Sequence, residues 1–232
     1  MPERRDFLLG LSSLLASEGE ADSVDTIYIP ERHAETDRAF LLDFIEEFSF
    51  GMVISAHGGL RASNVPTLLK RPGAIWWHLA KSNAQNAALA AASDVMLVFR
   101  GPHAYISPNW YQTKNVVPTW NFAVVHVRGK VTRLDSDEAF ALSLSQLVAR
   151  NEQRYGGGDR WHYNDLPDSY LKGMRQGIVA WQMEIESLEG KFKLGQERSS
   201  LDRDGTLEGL KRPQERDILA LTRAYYARRP AK

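Results

Sequence analysis

The chain has no cysteine among its 232 residues. That removes disulfides, thiolate metal sites and cysteine nucleophiles from consideration. It has no excess of charge either, since 29 lysines and arginines stand against 29 aspartates and glutamates. Non-specific affinity for nucleic acid comes largely from the release of condensed counterions by a basic surface, and a neutral total lends that no support. No apolar run approaches the roughly 18 residues that would suggest a membrane-spanning helix. There is no long Pro/Gly/Ser tract to link two independent domains. The Gly-x-Ser-x-Gly elbow, the His-Glu-x-x-His metal pair and the glycine-rich dinucleotide turn are all absent, which leaves hydrolytic and Rossmann-type readings without their signatures. His33, His57, His78, His103, His126 and His162 are scattered and form no helical i, i+4 pair, so no metal site is predicted. What remains is 43 % hydrophobic and 25 % charged, an ordinary globular composition that excludes disordered, collagenous and coiled-coil classes.

Residues 1–26 read as an N-terminal extension and 27–232 as a single domain. Arg4-Arg5-Asp6-Phe7-Leu8-Leu9 has the look of a twin-arginine export signal over residues 4–16, with the apolar stretch Leu8–Ala16. The stretch is short, is interrupted by Gly10, Ser12 and Ser13, and leads to no clear A-x-A cleavage site. An amphipathic helix bearing Phe7, Leu8, Leu11, Leu14 and Leu15 is the preferred reading, and a cytoplasmic protein the expectation.

Thr36–Phe48 reads as a helix, because Phe40, Leu41, Phe44, Ile45 and Phe48 recur at helical spacing. Phe50–Ala56 reads as a strand, and Gly58-Gly59 turns the chain into a second strand from Leu60. Pro66 must lie at an edge or bulge, as it cannot donate to a ladder. A third strand is expected over Ala74–Leu79, a helix over Asn83–Ala92, a fourth strand over Asp94–Phe99 and a loop over Gly101–Pro118. Trp120–Leu134 reads as a long strand, and Asp135 with Glu138 as the capping-box start of a helix. A short helix over Pro167–Gln176, a strand over Ile178–Leu188 and a terminal helix over residues 213–229 complete the chain. About six strands joined by short turns, without βαβ alternation, predict a mainly β fold. It is an antiparallel sheet that closes into a Greek-key-like barrel with peripheral helices.

Three clusters could carry chemistry. Phe99–Tyr111 and Val117–Phe122 concentrate Tyr105, Ser107, Trp110, Tyr111, Thr119, Trp120 and Asn121 in turn-rich sequence. Large aromatics left in water are unfavourable, so they belong to buried packing, a subunit interface or a platform for a planar ligand. His78, Lys81, Ser82 and Asn83 lie where a strand gives way to a helix, a combination suited to a phosphate and equally to an ordinary helix cap with a solvated lysine. Lys193 and Gln196 fall in Lys191-Phe192-Lys193-Leu194-Gly195-Gln196-Glu197-Arg198, which reads as a charged turn able to reach an anion.

Taken in order, Ile27-Tyr28-Ile29-Pro30, His78-x-Ala80-Lys81-x-Asn83, Phe99-x-Gly101-Pro102-x-Ala104-Tyr105-Ile106-Ser107-Pro108-x-Trp110-Tyr111, Val117-Pro118-Thr119-Trp120-Asn121-Phe122 and Lys191-Phe192-Lys193-Leu194-x-Gln196 resemble the PaiB family over most of the chain. The resemblance implies a flavin-binding split β-barrel, a homodimer, and FMN at the seam between subunits. The family's members are named as FMN-binding negative transcriptional regulators. Kinship with the pyridoxamine-phosphate oxidases implies a phosphate held by residues 62–69 and by the turn Lys81–Asn83. Ser63 and Asn64 stand where those oxidases carry an arginine. The family's usual Lys-Leu-Ser-Gln-Asn is altered here at Gly195 and Glu197, and the first 26 residues lie outside the resemblance.

Three functions follow as expectations. The first is a dimeric FMN-binding module acting in regulation or sensing, with the ring near Trp110, Trp120 or Tyr111. The second is a flavin-dependent oxidoreductase, or a haem-binding variant with His33, His57 or His103 as axial ligand. The third, direct DNA binding, would rest on Lys211, Arg212, Arg216, Arg223, Arg228, Arg229 and Lys232. A net-positive terminal helix is more commonly a solvated face, so direct operator contact is not expected.

Overall fold

A computed structural model describes residues 27–91 and 95–229. The expectations for the N-terminal extension therefore lie outside the described residues. The elements are β1 (Ala34–Glu35), α1 (Arg38–Glu47), β2 (Phe50–Ser55), β3 (Arg61–Pro66), β4 (Leu68–Lys70), β5 (Ala74–Ala80), α2 (Gln85–Ala90) and β6 (Val95–Ile106). Then follow β7 (Thr119–Arg133), α3 (Asp137–Tyr155), α4 (Asp168–Gln176), β8 (Ile178–Lys193), α5 (Ser200–Gly209) and α6 (Arg216–Arg228). Every strand pairing is antiparallel.

Along the sheet the order is β3-β2-β6-β7-β8-β5-β4, with β1 on β8. The two strands at the ends of that path, β3 and β4, are separated in the chain only by Thr67. One residue cannot cross a flat sheet of this width, so the sheet has to roll until its edges meet. Thr67 pins the corner: its amide and its hydroxyl both donate to the carbonyl of Ser49, at 2.9 and 2.8 Å. Pro66 ends β3 at the edge of the path, where the missing N–H costs no ladder bond.

Alternation along the strands sends Val53, Val65, Ile75, Trp77, Leu97, Phe99, Val125, Val127, Trp181 and Met183 into the interior. Helix α1 covers one end, with Leu41, Phe44 and Ile45 buried and the Phe44 ring 5.0 Å from that of Phe192. Glycine at 101 is required there, because a Cβ would come within 2.7 Å of the Phe44 ring. Helix α2 plugs the opposite end: the buried Gln85 amide donates to Val53 O, Ser55 Oγ and Arg61 O at 3.1, 3.1 and 3.3 Å. Phe140 and Leu144 of α3 pack on Ala180 as a second, smaller core. Tyr225 of α6 stacks on Phe192 at 5.3 Å, and the Tyr226 hydroxyl donates to Leu194 O at 2.7 Å.

The sheet has eight strands where about six were expected, and four further features differ from the sequence reading, each for a local reason. The expected loop over Gly101–Pro118 begins late, since β6 continues to Ile106 through a register shift between Arg100 and His103 that absorbs Gly101-Pro102. Strand β8 runs to Lys193 rather than Leu188, so Lys191-Phe192-Lys193 is ladder and not a charged turn. Helix α3 is capped by Ser136, whose hydroxyl accepts from Ala139 N at 3.1 Å, and not by Asp135. Helix α5 went unread because glycine at 205 and 209 lowers helix propensity. Among the described residues no helix is long and apolar enough to cross a membrane.

Candidate functional site

The polar group predicted for a phosphate does assemble around the β5–α2 turn. Asn83 Nδ2 donates to Ser63 Oγ at 3.0 Å, while its Oδ1 accepts from Gln85 N at 2.9 Å and opens α2. Lys81 and Ser82 are exposed at the tip of the turn, with Asn64 exposed on β3. Among the described residues the Lys81 ammonium pairs with no carboxylate. The nearby Arg61 is committed elsewhere. Its Nη1 donates to the carbonyls of His57, Gly58 and Gly59 at 3.2, 3.1 and 3.1 Å and fastens the β2–β3 turn. Lys70 is engaged as well, donating to Gln146 Oε1 at 2.6 Å and lying 4.9 Å over the Trp76 ring. His78 is half-buried on β5, and burial pushes its imidazole below the usual histidine range, so it is neutral at pH 7.

A second group gathers at the far ends of β6 and β7, where the ladder sets Tyr105 opposite Trp120. Their rings meet edge to face, 5.9 Å apart at 76°, and His103 flanks Trp120 at 5.9 Å. Tyr105 is 47 % exposed and Trp120 53 %, so each ring keeps an open face. The Lys193 ammonium donates to the Thr119 hydroxyl beside them. Burial lowers the Lys193 pKa, and the Glu197 carboxylate counters this.

Other candidates of the aromatic segment are structural. Trp110 packs on α5, where a Cβ on Gly209 would enter its indole ring, and it lies under the Arg212 guanidinium at 5.2 Å. Tyr111 is 5 % exposed beneath Arg198. Ser107 accepts from Asn109 N at 3.2 Å and caps a short 3₁₀ turn. Asn121 is buried beside Gly195. Gln196 ties the Leu194 amide to the carbonyls of Arg32 and Phe192. The signal for Trp110 was the Gly205–Gly209 pair, one helical turn apart. Of the histidines considered for haem, His33 is buried 3.6 Å from a Glu197 oxygen, His57 is exposed in the β2–β3 turn, and His103 is exposed beside Trp120. Among the described residues no group of three His, Cys, Asp or Glu side chains could hold a metal ion.

Ser63, opposite the buried Val53, points inward, whereas Asn64 of the first group and the Tyr105–Trp120 pair lie on the outer sheet face. Across it run two registered rows, Asn64–Met52–Val98–His126–Glu189 and Ala62–Ile54–Met96–Arg128–Ser187. Met52, Ile54, Met96 and Val98 are only half-buried. Sequence reasoning assigned these four no role, although their alternation with the core positions marks them. Asn64 is level with Val98, and Tyr105 lies further along the same strand by about 20 Å, at about 3.3 Å per residue with the bulge allowed for.

Comparison with known proteins bears on the family and the fold. Residues 27–187 match the family model described as "Putative FMN-binding domain". The protein named protease synthase and sporulation protein PAI 2, from Bacillus subtilis, is 32 % identical over 188 residues, which is 79 % of this chain and 89 % of that one. A protein of Aspergillus fumigatus is 29 % identical over 80 % of this chain and 91 % of its own. Among solved structures, a flavocytochrome from Azotobacter vinelandii superposes with a TM-score of 0.52 at 12 % identity, over 72 % of this chain and 73 % of that one. An FAD- and haem-binding protein from Mycobacterium smegmatis gives 0.51 at 13 % identity, over 69 % and 73 %. At such identities the structural likeness speaks for the fold, a split β-barrel with peripheral helices. The family match and the Bacillus relative speak for descent, and the chain belongs to the PaiB family of FMN-binding-type domains.

Proposed function

We propose that the protein binds FMN as a homodimer, with each flavin lying across the seam between two copies. The observation that carries this reading is that one outer sheet face holds Asn64, the half-buried Met52, Ile54, Met96 and Val98, and the open Tyr105–Trp120 pair. A two-fold axis crossing the middle of β6 would lay this face on itself. It would also set Tyr105 and Trp120 of one copy against the Lys81 turn of the other, as an isologous interface requires.

The donor set fits a flavin phosphate ester. Lys81 brings an ammonium and Ser82 a hydroxyl that are unpaired among the described residues, and the Asn83–Ser63 bond holds the turn in place. The edge-to-face pair at Trp120 leaves an indole face for an isoalloxazine. Bound flavin supplies hydride or electron transfer, and the protein's part is to hold, orient and shield it. The proposal assigns no acid–base residue and no substrate.

The name of the Bacillus relative refers to protease synthesis and sporulation. The corresponding proposal here is a regulatory or sensing role exerted through flavin occupancy rather than by operator contact. In support, Lys211, Arg228 and Arg229 pair with Glu208, Asp37 and Glu35, and Arg212 lies on Trp110, so much of the terminal positive charge is spent within the molecule. A cytoplasmic site of action is part of the same proposal. The intact mass of protein recovered from the cell interior, with residues 1–26 retained, is its check.

Quenching of FMN fluorescence on titration tests the binding. Saturation at one flavin per chain is expected. Lys81→Ala removes a charge-assisted hydrogen bond of about 1.5–3 kcal/mol, which weakens binding by about tenfold or more. Failure of the wild-type protein to bind at micromolar FMN refutes the proposal.

A further inference from the structure

Arg203 on α5 is a buried cation without a counter-charge among the described residues. It is 7 % exposed. Its Nη1 donates to Arg229 O at 3.0 Å and its Nη2 to Gln196 O, while Nε meets no acceptor. Among the described residues no carboxylate lies within ion-pair reach of it. The adjacent Asp202 faces the other way, its oxygens taking Gln112 N, Thr113 N and the Thr113 hydroxyl at 2.8, 3.0 and 2.6 Å. The Tyr226 ring under the guanidinium, 4.8 Å away, offsets only part of the cost of burying the charge.

Arg203 also lines a cavity of about 610 Å³, together with Arg32, Arg198, Arg229, Glu31 and Glu197. Four guanidinium groups thus face two carboxylates. Arg229 is paired with Glu35, 3.5 Å away and outside the cavity lining, which leaves Arg32, Arg198 and Arg203 against Glu31 and Glu197, and Glu197 lies 3.6 Å from His33. Helix α5 begins at the cavity wall, with Ser199 as its cap, so the positive end of its dipole adds to the same sign. The volume is that of a small-molecule site rather than of a bare ion, and guanidinium forks match oxyanions in bidentate geometry.

We propose that this cavity binds a small metabolite through a doubly charged oxyanion group, a phosphate or a dicarboxylate. The anion supplies the counter-charge that Arg203 lacks. None of the lining residues belongs to the flavin set proposed above, although Lys193 beside Thr119 feels the charges of Glu197, Arg198 and Arg32. The cavity offers an FMN-binding protein of this family a second input, an anionic effector that orders the turn between β8 and α5.

The test is calorimetric titration of flavin-free, full-length protein with inorganic phosphate and, separately, with succinate, against chloride at equal ionic strength. Saturable binding of one phosphate or succinate per chain is expected, and the two arms distinguish which oxyanion is preferred. Arg198→Gln and Arg32→Gln should each raise the dissociation constant about tenfold, as loss of one charge-assisted hydrogen bond implies. Arg203 is left intact because it ties two main-chain carbonyls. Arg32, which is exposed, keeps the test sound if Arg198, seated on Tyr111, alters packing and the melting midpoint. No saturable binding of either probe at tens of millimolar, or equal affinity in a well-folded Arg32→Gln variant, overturns the proposal. Because no flavin is present, these outcomes are independent of the FMN reading.

Discussion

Replacing Trp110 and Trp120 by alanine, one at a time, separates packing from ligand contact. Both indoles belong to family motifs and both lie in the same aromatic segment, yet their surroundings differ. Trp110 is half-buried against the glycine face of α5 and under Arg212. Removing it leaves a void that α5 cannot fill with its glycines, and the cost should be near the low end of the range for buried Trp→Ala, about 3 kcal/mol. Trp120 is 53 % exposed and touches Tyr105 and His103 at their edges. Its removal should change stability by no more than about 0.5–1 kcal/mol, while a lost stacking contact of about 0.5–1.5 kcal/mol weakens FMN binding by about 2- to 12-fold. Urea unfolding supplies the first number for each variant and fluorescence titration the second. The reversed pattern, with Trp110→Ala stable but defective in FMN binding and Trp120→Ala unstable but competent, would refute the assignment of roles.

Further outcomes follow from the same structure. Gly209→Ala forces a methyl group into the Trp110 ring and should destabilise by about 1–3 kcal/mol in urea unfolding, with FMN affinity kept. Ser136→Ala removes the hydroxyl that caps α3 and should cost about 1 kcal/mol in the same assay. His33 and His78 are both held below the ordinary histidine range, by burial first in each case. The unfolded chain therefore binds more protons below about pH 6.5, and stability should fall as pH drops from that point toward the folded-state values. His78→Gln should flatten the profile, and a profile level from pH 7 to 5 contradicts the assignment. At the alkaline side Tyr225, pushed up to about 12 mainly by burial, should lose its contribution as pH rises above about 10.

The barrel was legible because its signals are local. The β-branched residues Val124, Val125, Val127 and Val131 marked β7, helical spacing marked α1, and Gly58-Gly59 marked the turn before β3. What escaped depends on partners distant in the chain. Gly101-Pro102 reads as a loop opening, but β7 pairs on both sides of it and carries β6 onward to Ile106. The glycines of α5 read as breaks until Trp110 is seen to need their bare face. The site was legible by residue type and only in part by place. Asn83 meets Ser63, a neighbourhood that the family resemblance suggested and no spacing in the chain could. Trp110, Tyr111 and Gln196 look like ligand contacts in a motif, yet each is taken up by packing or by main-chain groups. The arginines around Arg203 come from both ends of the chain, so no window of sequence brings them together.

The central claim is that flavin and the second copy share one face. Sedimentation velocity followed by flavin absorbance tests it, run on wild-type protein and on Met96→Glu, which places a charge among the half-buried apolar residues of that face. The account predicts that flavin travels with a species of twice the chain mass, and that Met96→Glu yields a folded monomer from which flavin is lost. A wild-type monomer that carries flavin, or a Met96→Glu dimer that keeps it, would contradict the account.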